Sequence, residues 1–171
     1  MMSTAVADVR TKTQAARVWL IGTSTGTMSA ANIAARYPIQ TIPVFPPPPP
    51  QNANFGRPNG VVLTSSQNKR VGSCGKVVQD ADLSAINVPV YVVAHRDDAC
   101  PCSDPGLTPN IVAALTGSPN RGMIEFTGGD LPQSGPCFAL APHGFFGIES
   151  AVVAAIAGWM SSSVPPRRPG L

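Results

Sequence analysis

Between Val18 and Pro38 the chain reads VWLIGTSTGTMSAANIAARYP: an apolar run into Gly22-Thr23-Ser24-Thr25-Gly26, then a glycine- and proline-free stretch from Met28 to Arg36 before Tyr37-Pro38. Few structures accept that pattern. It fits a strand buried on both faces that turns sharply into a helix of small residues, with Pro38 as the stop. Glycines two residues either side of a serine are expected where a side chain would collide with the neighbouring strand or helix. Such a turn pushes Ser24 Oγ clear of the backbone and aims the Thr25 amide, at the helix N-terminus, into the same space. A nucleophile elbow and one oxyanion donor are thus predicted from a single turn.

The remaining segments predict what surrounds it. Val61 to Ser65 reads as a second buried strand, Val88 to Ala94 as a third with Pro89 tolerated at its start, and Met123 to Thr127 as a fourth. Ser103 or Asp104 before Pro105 is a helix start, and Leu107, Ile111 and Leu115 fall on one face before Gly117. From Gly144 to about Met160, Phe145, Ile148, Val152, Ile156 and Trp159 form one stripe at helical spacing, which is core and not a cofactor box. Buried strands alternating with helices predict an α/β fold, a mostly parallel sheet of about four strands with flanking helices. A single domain is expected over residues 1–163, with a Pro-rich loop at 39–60, where Pro46 to Pro50 is extended polyproline II, and a flexible tail at 164–171. The span Gln67 to Asn87 is too short for a sizeable lid domain.

Composition excludes several functions. The 171 residues are 43% apolar, which is globular, and only 12% charged, with a net charge of +3 that includes Arg167 and Arg168 of the tail. No basic stripe is interleaved with aromatics, so no nucleic-acid partner is expected. No apolar run approaches the roughly 18 residues of a membrane span, and the first twenty positions lack the regions of a signal peptide. They look like the end of an amphipathic helix leading into a strand.

A serine at neutral pH needs a general base, and the base needs a partner that fixes its tautomer. The chain has two histidines. His143, in APHGFFGIE just before the last helix, is free to reach across the carboxyl edge of the sheet. His95, at the end of the third strand, adjoins the acidic residues and would compete with them for one place. For the acid, Asp97 and Asp98 follow that third strand, where open α/β sheets gather their chemistry; Asp98, three residues before Pro101, has the better spacing, Asp97 is the alternative and Asp130 a weaker one. The order Ser24, Asp98, His143 follows.

With a G-T-S-x-G-T elbow, an R-x-D-x-C acid loop and an H-G-F-x-G-x-E histidine loop in that order, the chain from about Ala7 to Met160 resembles the bacterial esterase-like α/β-hydrolases. The resemblance implies Ser24 as nucleophile, His143 as base, Asp98 as acid and the Thr25 amide as oxyanion donor. It implies hydrolysis of an ester or related acyl bond of a small molecule through an acyl-enzyme, with no metal or organic cofactor. In that family a strand and loop ahead of the elbow supply a second oxyanion donor; the chain is expected to lack them, as an N-terminally truncated member would. Loss of one such donor costs about 100- to 1,000-fold in turnover. The elbow strand would then be an exposed parallel edge open to self-association. At Thr25 related sequences often carry arginine, so any substrate contact of that arginine is not implied here. The alternative from another class is a non-catalytic remnant or partner-binding half-domain that keeps the elbow by descent.

Cys74, Cys100, Cys102 and Cys137 allow three complete pairings. If Asp98 and His143 meet, Cys100 and Cys137 lie on adjoining loops, and a bridge between them resembles one expected of secreted members; free thiols in a cytosolic protein are the alternative. Cys100-x-Cys102 is not the usual zinc hook. None of the four sits at a strand-to-helix elbow, which disfavours a cysteine nucleophile. A secreted or periplasmic parent would carry its signal peptide ahead of this sequence.

Overall fold

The computed structural model describes residues 2–13, 17–36 and 56–163. Polyproline Pro46 to Pro50, most of the expected 39–60 loop and the 164–171 tail lie outside the described residues.

Helix α1 (Met2–Thr13) precedes strand β1 (Trp19–Thr23), helix α2 (Gly26–Ala35), strands β2 (Gly60–Thr64) and β3 (Val90–His95), helix α3 (Thr108–Ala114), strand β4 (Arg121–Phe126) and helix α4 (Glu149–Ser162). The sheet has the order β1-β2-β3-β4 and every pair is parallel. This is the α/β class the alternation predicts. Parallel pairing puts every strand's carboxyl end on the same edge, and the ends of β1, β2 and β3 lie level: Thr23 pairs with Thr64, and Thr64 with Val93.

The period of two along β2 and β3 divides the core. Val61, Leu63, Val90 and Val92 face one side, where Ala30, Ala31 and Ala34 of α2 and Ile111 and Leu115 at α3 cover them. Val62, Tyr91 and Val93 face the other, under Phe145, Val152 and Ile156. Each fully buried valine contributes roughly 1.5–3 kcal/mol to this three-layer stack. Trp159 stacks on Tyr91 at 4.7 Å and meets Trp19 edge-on at 5.7 Å, fastening α4 across β1 and β3.

Several sequence expectations differ from the structure. The elbow strand is not buried on both faces: Ile21 is 57% exposed, because β1 is the sheet's edge among the described strands and has β2 on one side only. The last helix begins at Glu149 and not at Gly144, since Phe145 at φ 61° and Gly147 at φ 83° hold left-handed backbone that no α-helix continues through. Phe145 and Ile148 still pack with the stripe, from a loop. Finally, the 21 residues Pro142–Ser162 are long and apolar enough, by length and composition, to cross a membrane, with mean hydropathy 1.4 in the best window. No such segment was expected from the sequence. Alanines and valines of α4 raise the hydropathy, yet its regular α-helix is 14 residues, short of the roughly 20 a bilayer core needs, and its stripe is packed on the sheet.

The elbow's two glycines have different reasons. A Cβ on Gly22 would stand 2.5 Å from the carbonyl oxygen of Gly26 and 2.9 Å from Thr27 Cα, all backbone, whereas one on Gly26 meets nothing within 4 Å. Collision was expected at both; only Gly22 has it. Gly22→Ala is therefore expected to destabilise the fold by about 1–3 kcal/mol, while Gly26→Ala, in helical backbone, is neutral or stabilising by up to about 1 kcal/mol. Urea unfolding followed by circular dichroism separates the two.

Candidate active site

Ser24 leaves β1 with φ 52°, a conformation rare for a residue with a side chain. Three contacts hold it there: its N–H donates to the Thr64 carbonyl at 3.0 Å, and its own carbonyl accepts from Thr27 N at 3.0 Å and Thr27 Oγ1 at 2.6 Å. Strain of about 1–3 kcal/mol persists only when the surroundings over-determine it in this way. Thr23 Oγ1 and Thr64 Oγ1 share a 2.7 Å hydrogen bond across the β1–β2 pair. Ser24 itself is half-buried, and Thr25 is the N-cap residue just ahead of α2, at the helix end whose amides have no intrahelical partner.

After β3 the chain turns and buries a carboxylate. Asp98 N–H donates to the His95 carbonyl at 3.1 Å, Asp98 Oδ1 accepts from the Cys100 amide at 2.9 Å, and Asp98 Oδ2 accepts from His143 Nδ1 at 2.8 Å. The Asp98 side chain is 3% exposed, that of Asp97 63%. With Nδ1 donating to the carboxylate, the neutral ring of His143 carries its lone pair on Nε2, which is buried and has no hydrogen-bond partner among the described residues. Ser24 and His143 are not hydrogen-bonded to each other; the Ser24 amide is bonded to the Thr64 carbonyl and the His143 carbonyl to the Ser65 hydroxyl, both at the end of β2.

His95 is spent on structure. Its Nδ1 accepts from the Asp97 amide at 3.1 Å, which leaves Nε2–H to donate to the Gly128 carbonyl at 2.9 Å. Asp130 is exposed, and its hydrogen bond is from its backbone N–H to the Phe146 carbonyl at 3.1 Å. Of the candidates weighed, then, Asp98 and His143 are brought together; Asp97, Asp130 and His95 are elsewhere engaged or facing solvent.

Both disulfides end in the acid loop. Cys100 bonds Cys137, on the loop that leads to His143, and Cys102 bonds Cys74, on the segment after β2, with Cα separations of 4.7 and 5.6 Å. The loop that carries Asp98 is thus tied to both of its neighbours. Hydrogen bonds double the second tie: Asn68 Nδ2 donates to the Asp104 carbonyl and Asp104 N–H to Asn68 Oδ1, each at 2.8 Å, while Asn68 and Lys69 amides reach the Cys102 carbonyl. Lys69 Nζ lies 2.8 Å from Asp104 Oδ2. That hydrogen bond, helped by the Gly106 amide, holds the Asp104 carboxyl below its ordinary value of 3.8.

Sequence reasoning missed Ser65, Ser103 and Asn68. Ser65 Oγ donates to the His143 carbonyl at 2.7 Å, and Ser103 Oγ donates to the Ser65 carbonyl at 3.1 Å. All are buried, and no pattern of spacing marks a serine at a strand end as anything but a turn former.

No protein-family model matches the chain, and no curated protein matches it. Among solved structures, one from work on LipS and LipT, two metagenome-derived lipolytic enzymes, superimposes with a TM-score of 0.52 at 10% identity, covering 94% of this chain and 75% of that one. The likeness is one of fold: α/β, with an all-parallel sheet between flanking helices.

The paired substitution Cys100→Ser with Cys137→Ser is expected to cost about 2–4 kcal/mol, the usual worth of a bridge closing a loop of this length, measured by guanidinium unfolding. Asp104 makes a pH-dependent contribution. Its folded value is depressed, so the stability it supplies is present above 3.8 and lost as pH falls through the lower folded value. Asp104→Asn should accordingly lower the melting temperature at pH 6, and its deficit against the parent protein should shrink steadily below pH 3.8.

Proposed function

We propose that this protein is a serine hydrolase that cleaves an ester or related acyl bond of a small molecule, with Ser24 as nucleophile, His143 as general base, Asp98 as its acid partner and the Thr25 amide as an oxyanion donor. One observation carries the proposal: a buried carboxylate orients a buried imidazole whose Nε2 has no partner among the described residues, with a strained serine turn at the same edge of the sheet. A structural histidine would have that nitrogen satisfied, as His95 has. Similarity of fold to a lipolytic enzyme supports the acyl-ester class.

In this scheme Ser24 Oγ attacks the acyl carbon as its proton passes to His143 Nε2. Nucleophile-to-base bonds are often long before substrate binds and tighten in the complex. Negative charge that develops on the carbonyl oxygen is met by the Thr25 N–H and the positive end of α2. Collapse of the adduct expels the alcohol, which takes the proton back from His143. Water then attacks the acyl-enzyme by the same route in reverse, restoring Ser24 Oγ–H. Asp98 stays ionised throughout, holding the Nδ1–H tautomer and stabilising the imidazolium that forms. No step calls for a cofactor.

A fluorophosphonate probe tests this directly. The folded protein is expected to become labelled at Ser24, Ser24→Ala to lose the label entirely, and Asp98→Asn, which presents the wrong tautomer, to react about 10,000-fold more slowly. An unlabelled but folded protein would overturn the proposal.

A further inference from the structure

We propose that Ser65 is a positioning residue for the base: its hydroxyl sets the backbone of His143, and through it the ring, in register with Asp98 and the Ser24 turn. This rests on the hydrolase proposal for its kinetic consequence, though not for its geometry.

Ser65 is the first residue past β2, 3% exposed and at φ 41°, in left-handed backbone that a serine seldom adopts. Every polar group it has is committed. Its N–H donates to the Val93 carbonyl at 2.9 Å, fixing it to β3; its carbonyl accepts from Ser103 Oγ at 3.1 Å, fixing it to the acid loop; its Oγ–H donates to the His143 carbonyl at 2.7 Å. The preceding carbonyl, Thr64 O, holds the Ser24 amide at 3.0 Å. Two successive residues at the end of β2 therefore grip the serine turn on one side and the histidine turn on the other.

The histidine turn needs such a grip. His143 occupies a single 3-10 turn, Pro142–Gly144, whose backbone hydrogen bonds are local: Gly144 N to Ala141 O and Phe145 N to Pro142 O. Bonds within a turn fix its shape but not its position over the sheet. The Cys100–Cys137 bridge enters six residues upstream of His143, and the Asp98 bond constrains the ring alone. Among the described residues, the Ser65 hydroxyl makes the hydrogen bond that ties the backbone of His143 to the sheet. A hydroxyl held in unfavourable backbone by three separate elements is what a site that tolerates little displacement requires.

Ser65→Gly removes the hydroxyl while accepting φ 41° without strain; Ser65→Ala removes it and keeps the strain. Both are expected to react with the fluorophosphonate about 10- to 100-fold more slowly than the parent, the effect of a shift of up to 1 Å in a reacting group. Both should also lose the far-downfield proton resonance of His143 Nδ1–H through faster exchange with solvent, a change that lower stability alone would not produce in Ser65→Gly. Unchanged labelling and an unchanged resonance in Ser65→Gly would overturn the inference. If the parent protein is unlabelled but its Nδ1–H resonance disappears in Ser65→Gly, the positioning role stands and the hydrolase proposal falls. Should Ser65→Ala fail to fold, the glycine variant decides.

Discussion

The hydrogen bond between Asp98 Oδ2 and His143 Nδ1 is the contact around which the carboxyl edge of the sheet is organised. Removing a carboxylate from water costs several kcal/mol unless its lone pairs are satisfied, and a buried carboxylate with a single partner would be a liability. Asp98 has two, the imidazole and the Cys100 amide. Both come from loops that local propensity would leave free, so both loops have to be fastened. Two disulfides, the Asn68–Asp104 hydrogen bonds and the Ser65 hydroxyl do that fastening. Much of what is unusual at this end of the molecule, including two serines at positive φ, follows from the need to hold that pair still.

Beneath the site, the scaffold is plain. Four parallel strands with level carboxyl ends bring residues 41 positions apart, such as Thr23 and Thr64, into hydrogen-bonding contact. Small residues along α2 let the helix lie close over β1 and β2, which in turn forces Gly22 to be glycine, because the first turn of that helix passes where a side chain would be. The open flank of β1 is where the layering is least complete: Ile21 stands exposed in a strand whose sequence alone suggests full burial.

Much of this was legible in the residues. The strand-to-helix turn at Ser24, the four strands and the α4 stripe follow from period and from glycine and proline placement, and the order of three short motifs singles out Asp98 and His143 as candidates. His143 is preferred to His95 for the reach of its loop, and Asp98 to Asp97 for its spacing before Pro101; in the structure His95 has both ring nitrogens occupied, and Asp97 points to water. The start of α4 was misplaced because a continuous apolar stripe does not reveal that Phe145 and Gly147 adopt left-handed backbone within it.

By itself, then, the sequence determined the class of fold and the turns that close its strands, since hydrophobic period and turn chemistry are local properties written in neighbouring residues. Tertiary structure alone decided that Cys74 pairs with Cys102, that Ile21 is left bare on the face of β1, and that Ser65, Ser103 and Asn68 meet around Asp98 and His143. Those facts depend on contacts between residues 28 to 78 positions apart, where no local pattern distinguishes a serine that ends a strand from one that holds a histidine in place.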